Sequence, residues 1–200
     1  MWTLESKGLK PSNNVCFVSA EPTFTHKTLM KLSSVGLLKF IVNQNIDGLH
    51  LKAGIPREKV ADMHGNVFVE QCNRCRQQHV VDSCVPTVGL KFTGNNCSVG
   101  SNPTGRLNCR GKMKDTILDW EDDLPQKELD LAEYHSKNAQ LSVCLGTSLQ
   151  IYPCRNVPRL TKKNGGQVVI VNLQKTPLDK ICDIRIFGKV DDGAPRIRLG

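Results

Sequence analysis

A chain of 200 residues, 39% hydrophobic and with a formal net charge of +8, is sized for one domain or one domain carrying a small insertion. Such a core buries roughly 70% of the surface its unfolded form exposes, so disulfides are not needed to hold it, and no apolar run reaches the ~18 residues of a membrane span. The opening MWTLESKGLKPSNN lacks the basic-then-apolar pattern of a secretory signal, which points to a soluble intracellular protein.

Along the chain, THKTLMKLSS (25–34) places Leu29 and Leu32 on one helical face, with Gly36 as a stop. LLKFIVNQN (37–45) is a continuous apolar run of strand length that ends in polar residues, and NVFVEQC (66–72) reads as another short strand. PQKELDLAEYHSKNAQ (125–140) is helical, with Pro125 near its start and Leu129 and Ala132 sharing a face. LSVCLGTSL (141–149) and QVVIVNLQ (167–174) are buried-type strands rich in Val, Ile and Leu. Helices alternating with wholly apolar strands predict an α/β fold, a Rossmann-like parallel sheet with helices on both faces, over 1–70 and 113–200. From Gln71 to Lys112 that pattern breaks into Gly, Asn, Ser and Cys, so 71–112 is expected to be an inserted module.

Ligands of such sheets bind beyond the carboxyl ends of the strands. Three polar clusters fall there: Gln44, Asn45 and Asp47; Gly146, Thr147 and Ser148; Asn172 and Gln174. Any one of them is ordinary turn chemistry, but three at equivalent positions favour a shared site. His64-Gly65-Asn66 adds an imidazole near the first.

Nine cysteines, an odd number, suggest metal binding rather than disulfides in a reducing compartment. Cys72 and Cys75 form C-x-x-C, and Cys97 with Cys109 forms a wider second pair, so four thiolates can close a structural shell around one Zn²⁺. Arg74, Arg76, Arg106 and Arg110 favour the thiolate form, and Cys84, inside the module, competes for a ligand role. Four buried thiols without metal are the alternative. Cys16, Cys144, Cys154 and Cys182 are expected in the core or on the surface. The Lys and Arg surplus is scattered like a solvated face, although a pI near 9.1 also suits acidic partners such as nucleic acid or chromatin.

Together QNIDGLH, HGN, the four cysteines, GTSLQI and VIVNLQ resemble the sirtuin family of NAD-dependent protein deacylases, in order and in spacing. MKDTILDWEDDLP and VPRLTKKNGG are similar to its nuclear, sirtuin-six-like branch, and the resemblance runs from Trp2 to about Asp191. It implies His64 as the catalytic base, taking a proton from a ribose hydroxyl as an acyl group moves from lysine to ADP-ribose. It also implies Gln44, Asn45 and Asp47 around nicotinamide and its ribose, and Gly146, Thr147, Ser148, Asn172, Leu173 and Gln174 around adenosine and phosphate. Val190 would lie near the adenine, and Asp119 and Trp120 would line the acyl-lysine channel. The implied substrates are acylated protein lysines, with histones foremost, in the nucleus. Association with chromatin or DNA and a mono-ADP-ribosyl transfer side activity are expected with them, and no membrane is.

The sequence departs from the family at its start, which lies beyond the first strand and its Gly-Ala-Gly loop; no G-x-G follows any strand. Lys189 stands where the nuclear branch carries an aromatic, and the second cysteine pair is one residue wider. A truncated isoform or incomplete gene model with impaired NAD binding is therefore expected. Two other functions compete with the enzyme: a catalytically silent zinc-containing interaction module, and a zinc-ribbon nucleic-acid binder. The latter is weakened by a module with only Phe92 as an aromatic between its cysteine pairs.

Overall fold

The computed structural model describes residues 17–100, 109–119 and 121–193. Helix α1 (Phe24–Ser34) starts at Thr23, whose hydroxyl lies 2.9 Å from His26 Nδ1 while its N–H donates to the same nitrogen at 3.3 Å. Gly36, at φ 76°, follows the last turn as the sequence suggests. Strand β1 (Ile41–Asn43) is followed by the short helix α2 (Leu49–Lys52) and by β2 (Val60–Asp62), which pairs parallel with β1.

The chain then turns into an antiparallel sheet. Strands β3 (Val69–Cys72), β4 (Gln78–Val80), β5 (Phe92–Asn96) and β6 (Lys112–Asp115) lie in the order β4-β3-β6-β5. This sheet starts at Val69 and ends at Asp115, slightly wider than the expected 71–112. Asp115, 1% exposed, holds it to its neighbours: Oδ1 accepts from the N–H groups of Leu90 and Ile117, Oδ2 from Lys91 N–H and the Thr87 hydroxyl. Those bonds hold Leu90 at φ 57°, a left-handed conformation that a leucine adopts only when its surroundings enforce it.

Beyond the module, α3 (Gln126–Lys137) leads to β7 (Leu141–Leu145), α4 (Val157–Lys163), β8 (Gln167–Val171), β9 (Ile184–Ile186) and α5 (Val190–Gly193). The second parallel sheet has the order β7-β8-β9. A single parallel sheet is the simplest reading of the apolar runs; the parallel strands instead fall into two. Among the described residues β1 pairs only with β2, and β7 only with β8. Helix α3 packs on β2, α4 packs on β7 and β8, and the helices pack on each other, so one helical layer bridges both sheets. Thr161 of α4 ties it to α3 by donating to Ser136 O at 2.8 Å.

Burial follows this arrangement. Val168 and Ile170 of the central β8 are fully buried, as a wholly apolar strand should be. Leu141 and Val143 are about half exposed because β7 is an edge strand with one face open. Cys144 and Cys154 are core residues, their thiols pushed by burial up to about 12 and about 11. No described helix is long and apolar enough to cross a membrane.

A buried charged joint connects module and sheets. Arg57 donates to Glu128 Oε1 at 2.8 Å and to the Val60 carbonyl, and Gln78 of β4 reaches the same carboxylate at 3.4 Å. Glu128 is 4% exposed, so removing Arg57 alone would strand a buried charge.

The start of α1 also meets α2, where the rings of His26 and His50 lie 4.9 Å apart. Burial, reinforced by His26 and opposed by Asp47, pulls the His50 imidazole down to about 4. The unfolded chain therefore binds the extra proton first. Stability from the neutral ring is complete above about pH 6.5 and is lost as the pH falls toward 4, by about 2–3 kcal/mol. Urea melts at pH 7 and 4.5 should show that loss, and His50→Asn should flatten the difference. Asp179, Asp183 and Asp191, whose carboxyls are held below the ordinary range, act further into the acid.

Candidate functional site

The polar residues after β1 and β2 form one interlocked structure. Met63 N–H donates to Asn43 O at 2.9 Å, and Val67 N–H to Ile46 O at 2.9 Å, so segments 43–48 and 62–68 run side by side. His64 Nδ1 lies 2.8 Å from the carbonyl oxygen of Gln44. A carbonyl only accepts, so that contact places the ring proton on Nδ1 and the basic lone pair on Nε2. The sequence-derived His64 and Gln44 thus meet directly. Asp47 turns its carboxylate back on the chain, accepting from Leu49 N–H at 3.0 Å at the start of α2.

Gly65 shows how tightly this loop is held. Its φ is 85°, and a Cβ there would lie 1.9 Å from the carbonyl oxygen of Thr116. Thr116 cannot retreat easily, because its hydroxyl takes Asn66 N–H at 3.1 Å and approaches the carbonyls of Asn66 and Val69 at 3.2 Å. Leu118 N–H donates to His64 O at 3.1 Å on the same side. Gly65→Ala is expected to cost about 2–4 kcal/mol, combining left-handed strain with overpacking, as read from urea denaturation.

The second half of the site follows β7 and β8. Gly146 takes up where β7 ends, at φ 61°, and donates to Val171 O at 2.9 Å. Thr147 Oγ1 accepts from Leu149 N–H at 3.3 Å, and Ser148 is exposed. Asn172 leaves β8 with its N–H on Ile186 O and its side-chain amide donating to Gln174 O at 3.0 Å; Leu173 is exposed. Val190 lies over Gly146, 3.4 Å from where a Cβ would stand. Arg185 clamps the loop from below: its guanidinium donates to Asn172 O at 2.9 Å, to Gln174 O at 2.5 Å and to the Asp179 carboxylate at 2.9 Å.

Helix α1 joins the halves. Asp191, next to Val190, accepts from Thr25 N–H at 3.0 Å and from the Thr25 hydroxyl at 2.6 Å. The next residue, His26, touches His50 and feels the charge of Asp47. The loops after β7 and β8 and the imidazole-bearing loops are thereby anchored to the same end of one helix.

The four expected cysteines gather as a separate centre. The sulfurs of Cys72, Cys75, Cys97 and Cys109 all lie within 4.8 Å of one another, with Cys72–Cys109 at 3.6 Å and Cys75–Cys97 at 3.7 Å. Four thiolates about 2.3 Å from a central Zn²⁺ in tetrahedral array stand about 3.8 Å apart, so the donor set fits one closed, structural ion. Burial raises the Cys72 thiol, but hydrogen bonds from the N–H groups of Cys75 and Arg74 and from the Cys109 and Cys75 thiols together more than offset this and leave it at about 6. Gly111 backs the cluster, since a Cβ there would lie 2.2 Å from the Cys72 sulfur. Cys84 packs instead against Val67, Phe68 and Ile117, outside the cluster. Asp119 follows Leu118 beside His64 and exchanges bonds with Asp122. Trp120, Cys16 and Arg106 lie outside the described residues.

Three residues organise the site without having been singled out for a role from sequence: Asn43, Asp62 and Asn66, linked at 2.8–2.9 Å. HGN pointed at Asn66, but nothing local marks Asn43 and Asp62, which are 19 positions apart and meet only across β1 and β2. Arg185 is likewise a tertiary clamp with no motif.

Residues 9–153 match the Sir2 family model. The NAD-dependent protein deacetylase SRT1 of Arabidopsis thaliana is 50% identical over 192 residues, which are 96% of this chain and 39% of that protein. The NAD-dependent protein deacetylase Sirt6 of Drosophila melanogaster is 45% identical over 191 residues, 96% of this chain and 60% of its own. Among solved structures, Sir2Tm bound to a propionylated peptide superposes with a TM-score of 0.65 at 33% identity, covering 88% of this chain and 69% of that one. The chain thus spans less than two thirds of the length of the two curated relatives.

Proposed function

The chain belongs to the Sir2 family, and on that premise we propose that it acts in NAD-dependent deacylation of protein lysines, moving the acyl group to ADP-ribose. The observation that carries this reading is the His64–Gln44 contact, which presents a basic Nε2 beside two segments of polar strand-end residues. The fit to NAD is that of the fold: small or polar residues at the carboxyl ends of β1, β7 and β8, with Gly146 and Val190 in contact at the second of them. When bound, NAD supplies a glycosidic bond whose departing group is nicotinamide.

The protein's own residues have these roles. Gln44, Asn45 and Asp47 hold the nicotinamide and its ribose, since amides and a carboxylate grip a carboxamide and hydroxyls without strong basicity. His64 accepts a ribose hydroxyl proton at Nε2 and is held in the required tautomer by Gln44 O. Gly146, Thr147, Ser148, Asn172, Leu173 and Gln174 take the adenosine and phosphates, with Val190 at the adenine. Asp119 lines the acyl-lysine entry. Cys72, Cys75, Cys97 and Cys109 would hold one zinc ion that braces the module, all four positions being taken by thiolates and none left for chemistry.

The finer proposal is a nuclear enzyme whose substrates are acylated histone lysines, with mono-ADP-ribosyl transfer as a side activity and association with chromatin or DNA. The +8 charge and the likeness to Drosophila Sirt6 support it. Nicotinamide release from NAD in the presence of an acetylated histone peptide, together with calorimetric titration of NAD, tests the proposal. Peptide-dependent release supports it. No binding and no release would favour a zinc-containing interaction module instead.

A further inference from the structure

Asp62 lies at the centre of the candidate site and is 3% exposed, yet it touches neither of the segments' reactive side chains. Its Oδ1 accepts from Asn43 Nδ2 at 2.8 Å and its Oδ2 from Asn66 Nδ2 at 2.9 Å. Each asparagine in turn fixes a backbone. Asn43 Oδ1 accepts from Asn45 N–H at 3.0 Å while its Nδ2 also donates to Asn45 O at 2.7 Å, so both sides of Asn45 are held. Asn66 Oδ1 accepts from Phe68 N–H at 2.9 Å, which fixes the turn that follows His64 and Gly65.

We propose that Asp62 is a positioning residue for the reaction. Its two oxygens, through Asn43 and Asn66, set the loop that carries Asn45 and the loop that carries His64 in one register. The proposal rests on the deacylase reading for its chemistry, and on hydrogen bonds alone for its geometry. The two asparagine amides are oriented by it: each must point its NH₂ at the carboxylate, which leaves each carbonyl oxygen for a backbone N–H. A single carboxylate therefore determines three further contacts. Burial raises the Asp62 carboxyl, opposed by the Asn43 bond, the Arg57 guanidinium 4.0 Å away and the Asn66 bond; the Asp47 charge adds to the rise. A carboxylate placed at that cost without a role in geometry would be readily replaced by an apolar residue.

The test uses Asp62→Asn, alone and combined with Asn66→Asp, in the whole zinc-loaded chain. In the single variant an amide group faces another amide group on one side, so one asparagine must turn and release its backbone partner. In the double variant the polarity is inverted but complete: the new amide at 62 accepts from Asn43 and donates to the new carboxylate at 66, which still accepts Phe68 N–H. Amide hydrogen exchange of the ligand-free protein by NMR reads the geometry. Steady-state nicotinamide release with an acetyl-lysine peptide reads its consequence.

Asp62→Asn should speed exchange at Asn45 or Phe68 and lower kcat about 10²-fold with little change in KM for the peptide. Asn66→Asp added to it should restore protection and most of kcat. Unchanged exchange at both amides overturns the proposal, and so does a double variant no better than the single. A lowered melting temperature with unaltered kcat per folded molecule overturns it as well, since that is the signature of a purely structural residue. A parent chain that releases no nicotinamide brings down the deacylase reading alone; the exchange measurements still decide whether Asp62 sets the two loops.

Discussion

Replacing His64 with alanine is expected to lower deacylation by about 10²–10⁴-fold, the range of a general base, while the chain stays folded. The imidazole is half-buried, and the hydrogen bond to Gln44 O that its loss removes is worth about 1 kcal/mol. The chemistry loses more, because no other imidazole among the described residues can substitute. His50 and His26 face each other at the start of α1, and His79 and His135 sit on the module and on α3. Liquid-chromatographic assay of the acetylated peptide checks the loss, and circular dichroism checks the fold. Deacylation at the parental rate would remove His64 from the reaction.

Stripping zinc is expected to have the largest effect on structure. The apolar centre of the module consists of Cys72, Cys97 and Met113, with Val99 and Cys109 packed on them, so most of its interior is the ligand set itself. Structural zinc contributes about 10–16 kcal/mol in small Cys/His sites, and nothing else in the module approaches that. Chelation, or Cys75→Ser, should abolish bound metal and melt the β4-β3-β6-β5 sheet. The damage should spread to His64, because Thr116, one residue past β6, holds Asn66, and Leu118 holds His64 O. Metal content by atomic absorption and a thermal melt followed in the far ultraviolet measure both steps. A melt indifferent to chelator would show that the four thiols close the module unaided.

Much of this was legible in the residues, for identifiable reasons. Helices α1 and α3 and strand β8 repeat apolar residues at the period of their own structure, and local pattern was enough for them. The cysteine quartet was legible because ligand chemistry leaves few alternatives for C-x-x-C followed by two more thiols. QNIDG and HGN stood out only in company, because each by itself is ordinary turn chemistry and it is the recurrence of polar clusters at several strand ends that points to a site. Strand β5, FTGNN, and strand β6, KMKD, carry no alternation to find; their pairing and the adjoining cysteines make them strands. Strand β2 has only three residues. The Asn43–Asp62–Asn66 network escaped for another reason: each member is a plausible turn residue by itself, and only folding makes them partners. Leu141 and Val143 misled in the opposite direction, since a run of apolar residues says nothing about whether its sheet continues on both sides.

The bonds from Thr25 to Asp191 join residues 166 apart in sequence, so the start of α1 and the segment carrying Val190 are held together only once the chain has folded. Opening this latch would free Val190 from Gly146 without breaking a single strand pairing, which makes it a joint that can give way locally while both parallel sheets stay intact.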